Sequence, residues 1–228
     1  MSWFADLTRS AVGKKAVMAV TGIILFGFVF VHMVGNLKLY TGAEHMNAYG
    51  DFLRQVGAPA IPPNGLLWLA RLVLLASVGL HIWAAWSLTQ MARAARPSPY
   101  EHKEKNHTTY ASRTMRWGGV IVLLFIIYHI LHFTTGTVLP GFEAHKPYEN
   151  LVRGFTGTLG TLSAVFYIVA NIALGMHLYH GIWSLFQSLG WSHPRFNPWR
   201  RWFAQGFAWL ITIGNISFPL AVMTGLVR

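Results

Sequence analysis

No cysteine occurs anywhere in the chain. That absence excludes disulfides, thiolate metal sites, covalent attachment of a c-type haem and iron–sulfur ligation by this polypeptide. A redox centre held here must therefore rely on His or Met. Charge is also scarce: 11% of the 228 residues are charged, where a soluble domain carries about 25%. Acidic residues are the scarcest, 7 against 18 Lys and Arg, for a formal net charge of +11. In a soluble protein that excess would suggest nucleic acid. In a chain that is 54% hydrophobic it reads instead as the Lys/Arg bias of loops on the inner side of a membrane, and no nucleic-acid partner is expected.

What is abundant is long apolar sequence. A spanning helix needs roughly 20 mainly apolar residues at about 1.5 Å each, and five stretches qualify: 16–37, 66–92, 117–139, 159–187 and 204–227. Breakers separate them at Thr41-Gly42, Pro59, Pro62-Pro63, Pro97, Pro99, Pro140-Gly141, Pro194 and Pro198. The expected fold is an all-α membrane protein, a single integral-membrane domain over 1–228 in which four helices form a bundle and a fifth lies beside them. Residues 1–15, with Trp3, Phe4 and Leu7, read as a retained interfacial segment rather than a cleaved signal. Asn215 and Pro219 in the fifth span read as a kink.

Basic residues set the expected orientation. Twelve (Arg9, Lys14, Lys15, Arg93, Arg96, Lys103, Lys105, Arg113, Arg116, Arg195, Arg200 and Arg201) fall on one side and six (Lys38, Arg54, Arg71, Lys146, Arg153 and Arg228) on the other. The richer side is expected to be cytoplasmic, with the N-terminus inside and the C-terminus outside. Trp117, Trp191, Trp199 and Trp202 then mark the inner boundary and Tyr40, Trp68 and Tyr148 the outer.

Six of the eleven histidines fall within spans: His32, His81, His129, His132, His177 and His180. An ionisable group in hydrocarbon is costly and marks a functional site by default. One His on each of four helices is the inventory for two b haems, each iron taking an imidazole from two helices. Depth suggests the pairing. At about 1.5 Å per residue, His32 lies roughly 9 Å from Lys38 and His129 roughly 17 Å from Pro140, in the outer half. By the same count His81 lies roughly 27 Å from Pro63 and His177 roughly 36 Å from Arg153, in the inner half. The expected sites are an outer haem on His32 and His129 and an inner haem on His81 and His177. Within the i, i+3 pairs His129/His132 and His177/His180, spacing alone does not choose the ligand. Gly175 and Gly181 favour His177, since they would let a flat macrocycle approach the backbone. His132 and His180 then become candidates for propionate or quinone hydrogen bonds, or structural histidines.

Arg71 is the one Lys or Arg well inside an apolar run. It is a candidate partner for an outer-haem propionate or a quinone headgroup, or it snorkels to the surface. Quinone chemistry needs a proton donor beside an apolar cleft, and the outer connection offers Glu44, His45, Tyr49 and Asp51. Glu44 and Asp51 are the candidates taken forward.

Several segments carry a family resemblance: Phe30-Val31-His32-Met33-Val34-Gly35-Asn36-Leu37, Gly79-Leu80-His81-Ile82-Trp83, Leu124-Phe125-Ile126-Ile127-Tyr128-His129-Ile130-Leu131, and His177-Leu178-Tyr179-His180-Gly181-Ile182-Trp183. Their order, spacing and helix count resemble the cytochrome b membrane anchor of succinate dehydrogenase and fumarate reductase, in its five-helix, di-haem, single-chain form. The resemblance implies axial ligands at His32, His81, His129 and His177, paired first with third and second with fourth. It implies a subunit that is not an enzyme on its own. Electrons would pass from a flavoprotein subunit through an iron–sulfur subunit to this chain and on to menaquinone or ubiquinone, in a bacterial cytoplasmic membrane. The basic inner segment from Arg93 to Arg116 would dock the iron–sulfur partner.

Other readings compete. A cytochrome b of formate dehydrogenase or hydrogenase shares the electron-transfer role. A transporter using His as a proton relay lacks an acidic residue in any span. A di-iron lipid desaturase or hydroxylase would gather its histidines at one depth, whereas these pairs lie at two.

Overall fold

The computed structural model describes residues 8–95 and 110–228. Those residues form helices and turns without a strand. In chain order they are α1 (Ala11–Asn36), α2 (Ala43–Gln55), α3 (Gly65–Ala94), α4 (Tyr110–His129), α5 (Pro147–Gly154), α6 (Gly157–Ser188) and α7 (Asn197–Met223). A tight 3-10 turn, Leu37–Thr41, extends α1, and a wide turn, Ile130–Thr134, extends α4. Five of these segments, Ala11–Thr41, Gly65–Ala94, Met115–Thr134, Gly157–Ser188 and Asn197–Met223, are long and apolar enough to cross a membrane. The chain is a multi-pass membrane protein.

Local chemistry sets the helix ends. Ser10 caps α1, its hydroxyl accepting from the Gly13 N–H at 3.0 Å. Gly42 at φ 97 ends the first span, a backbone angle that a side chain resists. The outward faces are apolar: Leu69, Leu72, Leu75, Trp86, Ile127, Leu162 and Ile213 are all exposed. That is the reverse of a soluble fold and matches a lipid-facing surface. The interior is lined by small residues such as Ala164, Ala170 and Ala173 on α6 and Ala204 and Ala208 on α7. They allow close backbone approach, which drives helix association where lipid removes the hydrophobic advantage.

Packing divides the spans into two groups. α1 packs on α3, while α6 packs on both α4 and α7. α6 is the most buried span and α3 the least. The groups meet where α1 touches α6 and α7, with Met33 seated over Gly214. At one end, α2 and α5 form a lid. The Asn47 amide donates to Glu149 at 2.9 and 3.1 Å, and the Tyr148 N–H donates to Asn47 Oδ1 at 3.2 Å.

The elements differ from the sequence expectation in several places. α1 begins at Ala11, so Lys14 and Lys15 lie within the first long helix; Trp3, Phe4 and Leu7 lie outside the described residues. Lys14 is buried, its Nζ 3.4 Å from Met91 Sδ. The outer connection after the first span is a helix, α2, rather than a loop. The third span widens after His129, where the Thr135 N–H reaches Ile130 O at 2.9 Å, an i to i+5 bond. In the basic inner segment, Arg96, Glu101, Lys103, Glu104 and Lys105 lie outside the described residues.

Gly175 has a role other than the one expected from sequence. A Cβ there would strike the Thr212 side chain of α7, so this glycine serves helix packing and not a macrocycle. A Cβ on Gly181 would meet Met115 Cε at 3.9 Å, an ordinary contact. Gly175→Val is expected to destabilise the bundle by about 1–3 kcal/mol through overpacking, read as a lower thermal midpoint in detergent; an unchanged midpoint would contradict this. Orientation is open to test because the chain has no cysteine. A membrane-impermeant maleimide added to intact cells should label Gln55→Cys, on the lid, and should reach Ser192→Cys only after lysis. The reverse pattern would invert the topology expected from the charge count.

Two histidine pairs stacked along the bundle

The ring centroids of His32 on α1 and His129 on α4 lie 5.8 Å apart, at 84° between planes. Those of His81 on α3 and His177 on α6 lie 6.3 Å apart, at 58°. Each pair joins the α1–α3 group to the α4–α6 group, and neither falls between helices that pack closely on each other. The imidazoles thus meet across a seam. His32 stacks on Phe28 at 5.2 Å and stays accessible although it sits deep among protein atoms.

Three helices measure the distance between the layers. Thr21 Oγ1 lies 3.1 Å from His81 Nδ1, and His32 follows eleven residues later on the same helix, about 16 Å along the axis. A Cβ on Gly119 would meet His177 Cε1 at 3.7 Å; His129 follows ten residues later, about 15 Å. Tyr167 Oη lies 3.2 Å from His129 Nδ1, and His177 follows ten residues on, again about 15 Å. The agreement defines two parallel layers.

The i, i+3 partners keep other company as well. His132, 2% exposed, stacks on Phe133 at 4.0 Å and meets Phe155 edge-on at 6.2 Å. The wide turn that starts after His129 adds a residue to the local repeat and loosens the shared face expected of the two. Its Nδ1 lies 3.2 Å from the same Tyr167 hydroxyl that meets His129. His180 Nε2 lies 3.2 Å from Ser184 Oγ on its own helix.

Sequence reasoning missed the groups behind the rings. Thr21 holds His81, and its own hydroxyl donates to Val17 O at 2.8 Å. A Cβ on Gly22 would meet His81 Cε1 at 3.7 Å. These, not Gly175 and Gly181, are the small positions beside the inner rings, together with Gly119. His177 Nδ1 is buried without a hydrogen-bond partner, a costly condition for a polar nitrogen. Tyr167 could have been found by counting, since it precedes His177 by the interval that separates the layers.

The remaining candidates gather at the lid end. Asp51 on α2 is engaged by Arg54 at 3.0 Å and by His145 at 3.2 Å. Glu44, in the first turn of α2, is exposed. His45 Nδ1 meets Thr41 O at 3.1 Å, and Tyr49 lies over Gly35. Arg71 lies 4.9 Å from the Trp68 ring and lines a cavity with Arg54 and Lys146.

Fold and site together define a helical membrane protein with paired imidazoles in two layers. Residues 90–214 match the profile of the succinate dehydrogenase/fumarate reductase transmembrane subunit. That covers more than half of the chain, and the protein belongs to this family. Members of the family commonly bind haem b, and the family is that of the membrane anchor of a complex whose catalytic subunits are separate chains. No curated protein and no solved structure matches the chain. His129 and His177 lie in the matched region, whereas His32 and His81 precede it.

Tyr167→Phe would leave two buried Nδ1 atoms without their shared partner, at about 1–3 kcal/mol. Tyr128 bonds Ser163 at 2.7 Å and touches the His132 ring without bonding an imidazole nitrogen, so Tyr128→Phe is expected to cost less. Equal thermal midpoints for the two variants would remove Tyr167 from its place behind the pair.

Proposed function

We propose that this chain is a di-haem cytochrome b anchor of succinate dehydrogenase, of the five-helix single-chain type. His32 and His129 would hold one haem iron and His81 and His177 the other. The observation that carries the reading is the spacing of the rings. An imidazole nitrogen bonds a metal at about 2 Å, so two imidazoles holding one iron would stand with their centroids about 6 Å apart; the two pairs stand at 5.8 and 6.3 Å. The glycines beside the inner rings suit the same use. A haem so held supplies a one-electron couple.

The protein's own groups would orient and tune the ligands. Thr21 and Tyr167 fix ring orientation through Nδ1, as partners behind metal-bound imidazoles do. Two layers about 15 Å apart, measured along the helices, give electrons a route from an iron–sulfur subunit, itself fed by a flavoprotein subunit, to quinone near the outer layer. Asp51 is already engaged by Arg54 and His145, which leaves Glu44 as the carboxylate for proton delivery to quinone. The setting would be a bacterial cytoplasmic membrane. A cytochrome b of formate dehydrogenase or hydrogenase would use the same layers, but the family match favours succinate dehydrogenase. A histidine proton relay is disfavoured by the absence of any acidic residue from the spans.

The test is a redox-titrated visible spectrum with haem quantified per chain. Two b-type haems are expected, one lost in His32→Ala or His129→Ala and the other in His81→Ala or His177→Ala, with His132→Ala and His180→Ala retaining both. Folded protein without haem would end this reading.

A further inference from the structure

A cavity of about 240 Å³ at the lid end is lined by Arg54, Arg71, His145 and Lys146, with Phe133 and Phe142 among its walls. Each element arrives for a local reason. The Asn64 N–H donates to Arg54 O at 2.6 Å, closing the connection from α2 and bringing Arg54 to the start of α3. The Asn150 side chain bonds Glu143 O at 2.6 Å and the Glu143 N–H at 2.9 Å, folding His145 and Lys146 back over α5.

The charges do not balance. Arg54 and His145 share one carboxylate, Asp51. The nearby Glu143 is taken by Arg153 at 2.6 Å. Arg71 and Lys146 form no ion pair among the described residues, and the Arg71 guanidinium lies 4.9 Å from the Trp68 ring. A cation within an apolar span is retained against a cost of several kcal/mol at mid-membrane, less near the edge. Arg71, half-buried in the span, and the exposed Lys146 beside it thus face one cavity without a carboxylate of their own, a setting complementary to anionic oxygens.

Depth connects this cavity to the outer layer. Arg71 precedes His81 by ten residues on α3, about 15 Å, which is the interval between the layers. Arg71 therefore stands level with His32 and His129. Phe133 lines the cavity and lies 6.0 Å from the His129 ring, so one side chain touches both the cavity and the outer pair.

We infer that Arg71 and Lys146, supported by Arg54, form an anion site at the edge of the outer histidine layer. It would receive carboxylate or phosphate oxygens, either the propionates of the outer haem or the phosphate of an anionic lipid. The propionate arm rests on the haem reading above; the lipid arm does not.

The complex, purified with its partner subunits, is compared with Arg71→Gln and Lys146→Gln. Haem per chain, both midpoint potentials and co-purifying anionic phospholipid are measured. If propionates occupy the site, both variants keep two haems and the centre that His32→Ala abolishes moves to lower potential, because a cation beside a haem disfavours its oxidised, more positive state. If a lipid occupies it, the potentials hold and bound anionic phospholipid falls by at least half. Unchanged potentials together with unchanged lipid would overturn the site. Wild-type complex without haem would overturn the ligand assignment, and the lipid measurement alone would then decide for or against the anion site.

Discussion

An imidazole in a hydrocarbon layer has to find a polar partner, because no water is there to supply one. Four spans each direct one such ring toward the same seam, where the rings meet at 5.8 and 6.3 Å. Much of the surrounding structure serves that arrangement. Gly22 and Gly119 keep the backbone clear of the inner rings. Thr21 and Tyr167 take the Nδ1 atoms of His81 and His129, and small residues draw α6 against α7 so that α6 can present Tyr167 and His177 to one side.

The family match and the geometry contribute different parts of the account. The match spans 90–214 and so reaches α4, α5, α6 and most of α7. The first helix and most of α3 lie before it. His32 and His81 enter through their positions opposite His129 and His177, and by the axial interval that three helices report independently. A chain whose first helix shared no register with the rest would have no reason to give that agreement.

The five spans were legible because hydrocarbon thickness fixes their length and apolar composition marks them. Pairing by depth was also legible, since a straight helix turns residue count into distance. The partners behind the rings were not. Thr21 and Tyr167 belong to residue types common in any membrane helix, and only the lateral placement of α1 against α3 and of α4 against α6 gives them meaning. Gly175 misled for the same reason: a glycine signals close approach but not by what, and here the neighbour is Thr212. His129 and His132 are equivalent by spacing, and the wide turn between them, which leaves no mark in hydropathy, still brings both rings to the Tyr167 hydroxyl. The basic lid cavity draws Arg54, Arg71 and Lys146 from three separate stretches, a convergence that no linear motif records.

The seam has a bearing on how the protein is assembled. The α1–α3 pair is contiguous in the chain, and so is the α4–α6–α7 group. Each is a hairpin or near-hairpin whose contacts are local, and membrane helices associate after they have inserted. The first unit can therefore leave the insertion machinery finished before the second is synthesised, and no segment has to be threaded between helices already packed. The two halves can then close onto each other after insertion, with the histidine pairs spanning the seam between them.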